Sequence, residues 1–270
     1  MKITFIGGGN MAKALIGGLI KRGYSPSKMH VVELSKERCT EVHNEFAVRA
    51  STDMAQAVAH SEVVILAVKP QQLQEASLQL AAFLEDRLVI SIAAGIRTQD
   101  IARWVGSQNI VRCMPNTPAL IRSGVTALYA TPVVRPEQCH RAEAILSAVG
   151  STFWLDDEER LDAVTAISGS GPAYVFYFIE AMQQAAYELG VEESQARQMV
   201  LDTFLGATKL AENSNDEVVT LRARVTSKNG TTERALLSMD ANRVKQDIVD
   251  AIHAAAKRSK EMGDELGKDA

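Results

Sequence analysis

The sequence predicts an α/β protein whose first part is a sheet with crossover helices and whose second part is helical throughout. Three observations carry this. Up to about residue 155, short β-rich runs alternate with helical stretches; a glycine-rich turn joins the first run to the first helix; from Leu161 onward apolar residues recur three or four apart, with almost no β-rich runs.

In chain order the β-rich runs are KITFIG, MHVVEL, AVRA, EVVILAV, RLVISIAA, NIVRCM, VTALYA and TFWL, separated by helical segments such as Met11 to Arg22 and Met54 to Ala59. Strands recurring with helices between them predict a parallel sheet. EVVILAV and LVISIAA are apolar throughout, as strands covered on both faces must be. Beyond LDDEER the helical period takes over: Tyr174, Phe178 and Met182, then Met199, Thr203 and Ala207, then Ile248, Ile252 and Ala256. The run Tyr174 to Phe178 makes its helix apolar on most sides, which predicts burial, including burial by a second subunit. The terminal SKEMGDELGKDA reads as a fraying, solvated helix end. The predicted division is 1–157 for the sheet domain and 158–270 for the helical one.

Composition removes several functions. A formal net charge of -4 leaves no basic stripe for a phosphate backbone, so nucleic acid is not an expected partner. Gly7, Gly8, Gly9, Asn10 and Lys13 interrupt the apolar opening, and no run approaches the roughly 20 apolar residues of a membrane helix. Cys39, Cys113 and Cys139 are scattered, without CxxC or Cys/His ligand spacing, so no metal site is expected and reduced thiols in a cytoplasmic protein are.

The glycine turn carries chemistry. ITFIGGGNMAKAL sets Gly7, Gly9 and Ala12 in a GxGxxA pattern between a strand and a helix. Gly7 permits the tight turn, Gly9 lets the backbone approach a pyrophosphate, and Ala12 allows close helix–strand packing. This predicts a Rossmann dinucleotide-binding domain. The second strand ends in VVELSKERC, where Glu33 suits the free ribose 2′-hydroxyl of NAD, whereas Ser35, Lys36 and Arg38 suit the 2′-phosphate of NADP. Three further loops follow strands at their C-terminal ends, where such sheets bind ligands. LAVKPQQ brings Lys69 to a strand end where it can face the cofactor, SIAAGI offers small residues for close approach, and RCMPNTPAL fixes the Asn116 amide between two prolines, where a nicotinamide carboxamide or a substrate can sit.

FIGGGNMAKAL, AVKPQ, SIAAGI, RCMPNTPAL, AISGSGPAY and VTSKNGTT together resemble, in order and along nearly the whole chain, the motifs of the pyrroline-5-carboxylate reductase family. The resemblance implies hydride transfer from NADPH, or from NADH, to the C=N carbon of 1-pyrroline-5-carboxylate, giving L-proline. It implies a Rossmann domain followed by an all-helical dimerisation domain, and a homodimer or an assembly of dimers. It assigns the cofactor to Ile6, Gly7, Gly8, Gly9, Asn10 and Met11, to Ser35 and Asp53, to Ala67, Val68, Lys69 and Pro70, and to Ala93, Ala94 and Gly95. Val225, Gly230, Thr231 and Thr232 would hold the substrate. Where this chain has Asp53 the family commonly has asparagine, and where it has SKNGTT the family usually reads SPGGTT.

An imine is readily protonated, so positioning dominates: reacting atoms held about 3 to 3.5 Å apart supply several of the roughly 7 to 11 kcal/mol available from proximity. Thr232 and Lys69 are the catalytic candidates, Thr232 because its hydroxyl can donate to or accept from the imine nitrogen. The five histidines lie outside all six motifs and read as surface or strand residues. A β-hydroxyacid or imine reductase would need a lysine in RLDAVTAISGSGPAYVFYF, which has none. A non-catalytic dinucleotide sensor would have no reason for ordered polar loops in both parts. In TSKNGTT, Asn229 is expected to take the left-handed conformation that glycine takes in the family, opening a helix N-terminus as an anion nest for the substrate carboxylate.

Overall fold

The computed structural model describes residues 1–268. Eight strands form one sheet among them: β1 (Ile3–Ile6), β2 (Met29–Val32), β3 (Arg49–Ser51), β4 (Val63–Leu66), β5 (Leu88–Ser91), β6 (Ile110–Met114), β7 (Gly124–Ala130) and β8 (Gly150–Trp154), in the order β3-β2-β1-β4-β5-β6-β7-β8. Each corresponds to one β-rich run of the sequence. Helices α1 (Asn10–Lys21), α2 (Lys36–Phe46), α3 (Met54–Val58), α4 (Pro70–Leu84), α5 (Thr98–Val105) and α6 (Pro136–Leu146) intervene.

The first six strands are parallel, as predicted, but β7 runs antiparallel to β6 and β8 follows β7. The cause is the connection. A parallel crossover needs a dozen or more residues, usually with a helix, whereas Pro115–Ser123 holds only the short 3₁₀ turn Thr117–Ile121.

Side chains of the central strands go alternately to the two faces of the sheet. Val63 and Ile65 of β4 join Phe5, Leu15 and Ile16 in one apolar cluster, while Val64 and Leu66 join Leu73, Leu80 and Ile101 in another. All four β4 residues are fully buried, because helices cover both faces of the sheet.

Beyond β8 the chain is helical: α7 (Arg160–Val164), a π-helical turn (Thr165–Gly169), α8 (Gly171–Glu188), α9 (Glu193–Glu212), α10 (Val218–Arg224), α11 (Thr231–Ala241) and α12 (Val244–Leu266). Contacts divide the chain into two compact units, one formed by Met1–Ser170 together with the chain from Ala255 onward, the other by Gly171–Ala254. The first unit therefore contains both the first and the last of the described residues.

That corrects the expectation of a solvated C-terminal end. Among the described residues of SKEMGDELGKDA, Ser259 is buried and hydrogen-bonded to Asp162 at 2.6 Å, Gly263 is buried, and Leu266 packs against the α4 and α5 core cluster. The Gly263-x-x-x-Gly267 spacing sets two side-chain-free positions on one helix face, so the helix approaches closely where charged neighbours had suggested solvent. Asp269 and Ala270 lie outside the described residues.

In the second unit the apolar surface is not covered. α8 has a single buried residue, Ala186, and α10 and α11 have none. Phe176, Tyr177, Leu205 and Leu210 are all more than half exposed.

Candidate active site

Strand order reverses between β1 and β4, with β2 on one side of β1 and β4 on the other. In open α/β sheets the crevice beyond the strand ends at such a point is where ligands bind. Two of the predicted loops meet there. Gly7 has φ 97°, and a Cβ on it would stand 2.9 Å from the Ala67 carbonyl oxygen and 3.0 Å from Val68 Cγ1. The turn after β1 and the loop after β4 thus touch through backbone, and no L side chain fits between them.

Gly9 differs. It is the N-cap of α1, with no side-chain cap, and a Cβ there would meet only the Ala67 carbonyl oxygen at 4.0 Å. The first helical bond runs from Lys13 N–H to Gly9 C=O, so the amides of Asn10, Met11 and Ala12 have no intrahelical acceptor. Open space beside unpaired N–H groups at a helix N-terminus fits a pyrophosphate. Ala12, in the first turn of α1, is fully buried, and Ile6 is buried at the end of β1.

Glu33 is turned inward. Its carboxylate is buried and accepts from Gly8 N–H at 2.6 Å and Leu34 N–H at 3.2 Å. It supports the glycine turn and lies 3.9 Å from the Arg38 guanidinium, a role the sequence reading missed because a strand-end carboxylate looks the same whether it faces a backbone amide or a ribose. Beyond it, Ser35 caps α2 by accepting from Arg38 N–H at 3.3 Å, while Lys36 and Arg38 are exposed. Asp53 is engaged as the cap of α3, accepting from Gln56 N–H at 2.9 Å.

Lys69 precedes Pro70 at the start of α4, extended in backbone and exposed in side chain. After β5, Ala93 is buried, Ala94 is half-buried and Gly95 has φ 81°. Asn116 is buried, and its side-chain oxygen accepts from Val125 N–H at 2.9 Å. That bond ties the proline-flanked turn to β7, leaving the amide N–H₂ as the group with donor capacity. None of the three thiols is activated: burial pushes Cys39, Cys113 and Cys139 above the ordinary thiol range.

In the second unit, Asn229 has φ 60°, the left-handed conformation expected of it. Gly230 N–H returns to Ser227 C=O at 3.0 Å, closing the turn that opens α11. Glu233 reaches back to accept from Asn229 N–H at 2.7 Å, which braces the turn ahead of the N-cap Gly230, and α11 has no side-chain cap, so neither threonine is used for one. The first intrahelical bond is Arg234 N–H to Gly230 C=O at 3.2 Å. The amides of Thr231, Thr232 and Glu233 therefore lack intrahelical acceptors. Thr231 is exposed, Thr232 is half-buried, and Val225 is exposed at the end of α10.

A glycine turn at a topological switch point, with unpaired helix amides beside it, defines a dinucleotide-dependent oxidoreductase of the Rossmann type. A family model described as pyrroline-5-carboxylate reductase dimerisation matches residues 158–262, and one described as NADP oxidoreductase, coenzyme F420-dependent, matches residues 2–95. Pyrroline-5-carboxylate reductase of Pseudomonas aeruginosa is 45% identical over 99% of this chain and 98% of its own. The solved structure of a pyrroline-5-carboxylate reductase from Coxiella burnetii has a TM-score of 0.90 at 39% identity, covering 97% of this chain and 98% of that one. That of Plasmodium falciparum pyrroline carboxylate reductase, with NADP bound, has a TM-score of 0.88 at 29% identity over 97% and 98%. The chain belongs to the pyrroline-5-carboxylate reductase family. It is an NAD(P)-dependent oxidoreductase that reduces the C=N bond of 1-pyrroline-5-carboxylate to give L-proline.

Proposed function

We propose that the enzyme prefers NADPH and works as a homodimer or an assembly of dimers in the cytoplasm, with the site residues in the roles their motifs imply. The observation that carries the cofactor preference is Glu33, whose carboxylate is committed to the Gly8 and Leu34 amides. With each carboxylate oxygen already accepting one amide and the Arg38 guanidinium 3.9 Å away, Glu33 is a crowded acceptor for a 2′-hydroxyl, while Ser35, Lys36 and Arg38 beside it suit a 2′-phosphate. The dimer is supported by the uncovered apolar faces of α8 and α9 and by the dimerisation description of the matching model. The cytoplasmic location agrees with three free cysteines far apart in sequence.

When bound, the reduced nicotinamide supplies a hydride to the imine carbon. The chain does the rest. The α1 amides and Gly9 hold the pyrophosphate, Asp53 lies by the adenosine ribose, and Ala67 to Pro70 with Ala93 to Gly95 and Asn116 orient the nicotinamide end. Lys69 has its place on that loop as a second catalytic candidate. The amides that open α11 at Thr231 and Thr232 take the substrate carboxylate, with Gly230 and Val225 flanking it. The imine nitrogen takes its proton from solvent, and Thr232 Oγ1 donates a hydrogen bond to it before that step and accepts one from it afterwards. In this reading residues 1–157 serve the cofactor, and the substrate is held from within 158–270, whose last segment packs with the first unit.

The test is a spectrophotometric assay of cofactor oxidation with pyrroline-5-carboxylate, run with NADPH and NADH in parallel on the native enzyme and on Arg38→Ala. NADPH is expected to give the higher kcat/KM, and Arg38→Ala to narrow the ratio by about tenfold, the worth of one charge-assisted contact. Equal efficiency with both cofactors would overturn the preference.

A further inference from the structure

The loop after β5 is packed by the far end of the chain. A Cβ at Gly263 of α12 would stand 2.6 Å from the Gly95 carbonyl oxygen, and one at Gly95 would stand 3.3 Å from Met262 Cβ and 3.6 Å from Gly263 N. A side chain at Gly267, one turn on, would fall on the Asp100 carboxylate. Helix and loop therefore meet backbone to backbone.

Polar bonds fix the contact. Arg97, two residues past Gly95, donates to Asp264 at 2.6 Å, and Arg103 donates to the Gly267 carbonyl at 2.6 Å. Ser259 donates to Asp162 at 2.6 Å. Thr98, which opens α5, donates through its N–H and its hydroxyl to Glu158, at 2.7 and 2.5 Å, and Glu158 also takes Arg112 at 2.9 Å. A loop carrying glycine at φ 81° has more accessible conformations than one built of other residues. These contacts select one of them.

We propose that Gly263 and the Arg97–Asp264 pair are positioning residues for the Ala93–Gly95 loop, so that the last turns of the chain set where the nicotinamide end of the cofactor rests. This rests on the reading of Ala93 to Gly95 as the nicotinamide-side loop. No residue of α12 needs to touch the cofactor for the effect, because a misplacement of about 1 Å can cost on the order of a hundredfold in rate.

The test compares Gly263→Ala with Lys260→Ala, an exposed control on the same helix, and with Ala94→Val, which crowds the loop directly. Three quantities are read on the full-length enzyme: amide hydrogen exchange over residues 92–97 without ligand, NADPH binding by its own fluorescence, and the deuterium isotope effect with NADPH labelled at the transferred position. Gly263→Ala is expected to speed exchange in that stretch, to weaken NADPH binding by about threefold and to raise the isotope effect, since misaligned hydride transfer becomes slower than release. Lys260→Ala is expected to change none of these. A variant that merely unfolds in part would lower kcat and leave the isotope effect alone.

Should Gly263→Ala fail to fold, Arg97→Asp and Asp264→Arg stand in, each expected to show the same changes and their combination to reverse them. If Ala94→Val alters binding and isotope effect while Gly263→Ala, or the charge swap, alters none of the three readouts, the positioning role is wrong and the loop reading stands. If Ala94→Val alters neither, the loop does not face the nicotinamide, and the reading and the proposal fall together.

Discussion

The two compact units treat apolar surface in opposite ways. Around β4 every side chain is sealed by helices on both faces, whereas α8 to α11 leave Phe176, Tyr177, Leu205 and Leu210 more than half exposed. At roughly 25 cal/mol per Å² of apolar area, a self-contained fold does not leave large side chains uncovered on helix after helix. The difference teaches that the cofactor half can be complete as a single chain, while the helical half is drawn for company.

The most severe way to break that contrast is a charge on the uncovered face. Phe176→Lys is expected to weaken self-association by about 4 kcal/mol, roughly a thousandfold in Kd, as a buried aromatic anchor would; light scattering at several protein concentrations measures it, and an unaltered mass would remove α8 from the interface. Next comes the chemistry of the helical unit, where Thr232→Ala is expected to lower kcat by roughly 10- to 100-fold, with the unfolding midpoint unmoved. Unchanged turnover would take Thr232 out of the reaction.

The sealed half can be probed with two glycines. Gly9→Val is expected to weaken NADPH binding by about tenfold without moving the midpoint, since a side chain there meets open space in the protein alone. Gly7→Ala should lower the midpoint as well, by about 1 to 3 kcal/mol of stability, because its φ and the Ala67 carbonyl leave no room. Identical stability for both would show that the two loops part easily. A milder change is Lys228→Pro with Asn229→Gly. The φ of 60° at Asn229 suits glycine, so substrate KM should move by only about two- to threefold, and a collapse of activity would mean the turn holds substrate in another shape.

Smallest is a pH effect in the sheet. Burial, with help from Arg49 and against Asp53, holds the His30 imidazole below its ordinary range, and it bonds Ser51 at 2.9 Å. The unfolded chain then binds the proton more readily than the folded one. Its contribution is complete above the ordinary value of about 6.5 and is lost as pH falls from there through the lowered folded value. Unfolding midpoints between pH 7 and 5 should fall less steeply in His30→Gln than in the native protein.

Much of this was legible in the chain. Runs of β-forming residues placed all eight strands, most firmly β1, β4 and β5, every residue of which is buried, and the left-handed Asn229 followed from what asparagine tolerates. The reversal at β7 was not read, since strand direction depends on how far a connection reaches and the prolines of MPNTPAL say only that it turns. Glu33 and Gly263 were missed for a shared reason. Their roles come from backbone groups, the Gly8 amide and the Gly95 carbonyl, that arrive from other parts of the chain and leave no pattern in the neighbouring residues.

The segment from Ala255 onward belongs to the same compact unit as the glycine turn. During synthesis the sheet can assemble early, yet its loop after β5 gains the Gly263 contact only after α12 has been made, so the nucleotide unit is finished only once both of its segments exist. A fusion or a nick near residue 260 is therefore an intervention in the nucleotide half, however remote it looks on a linear map.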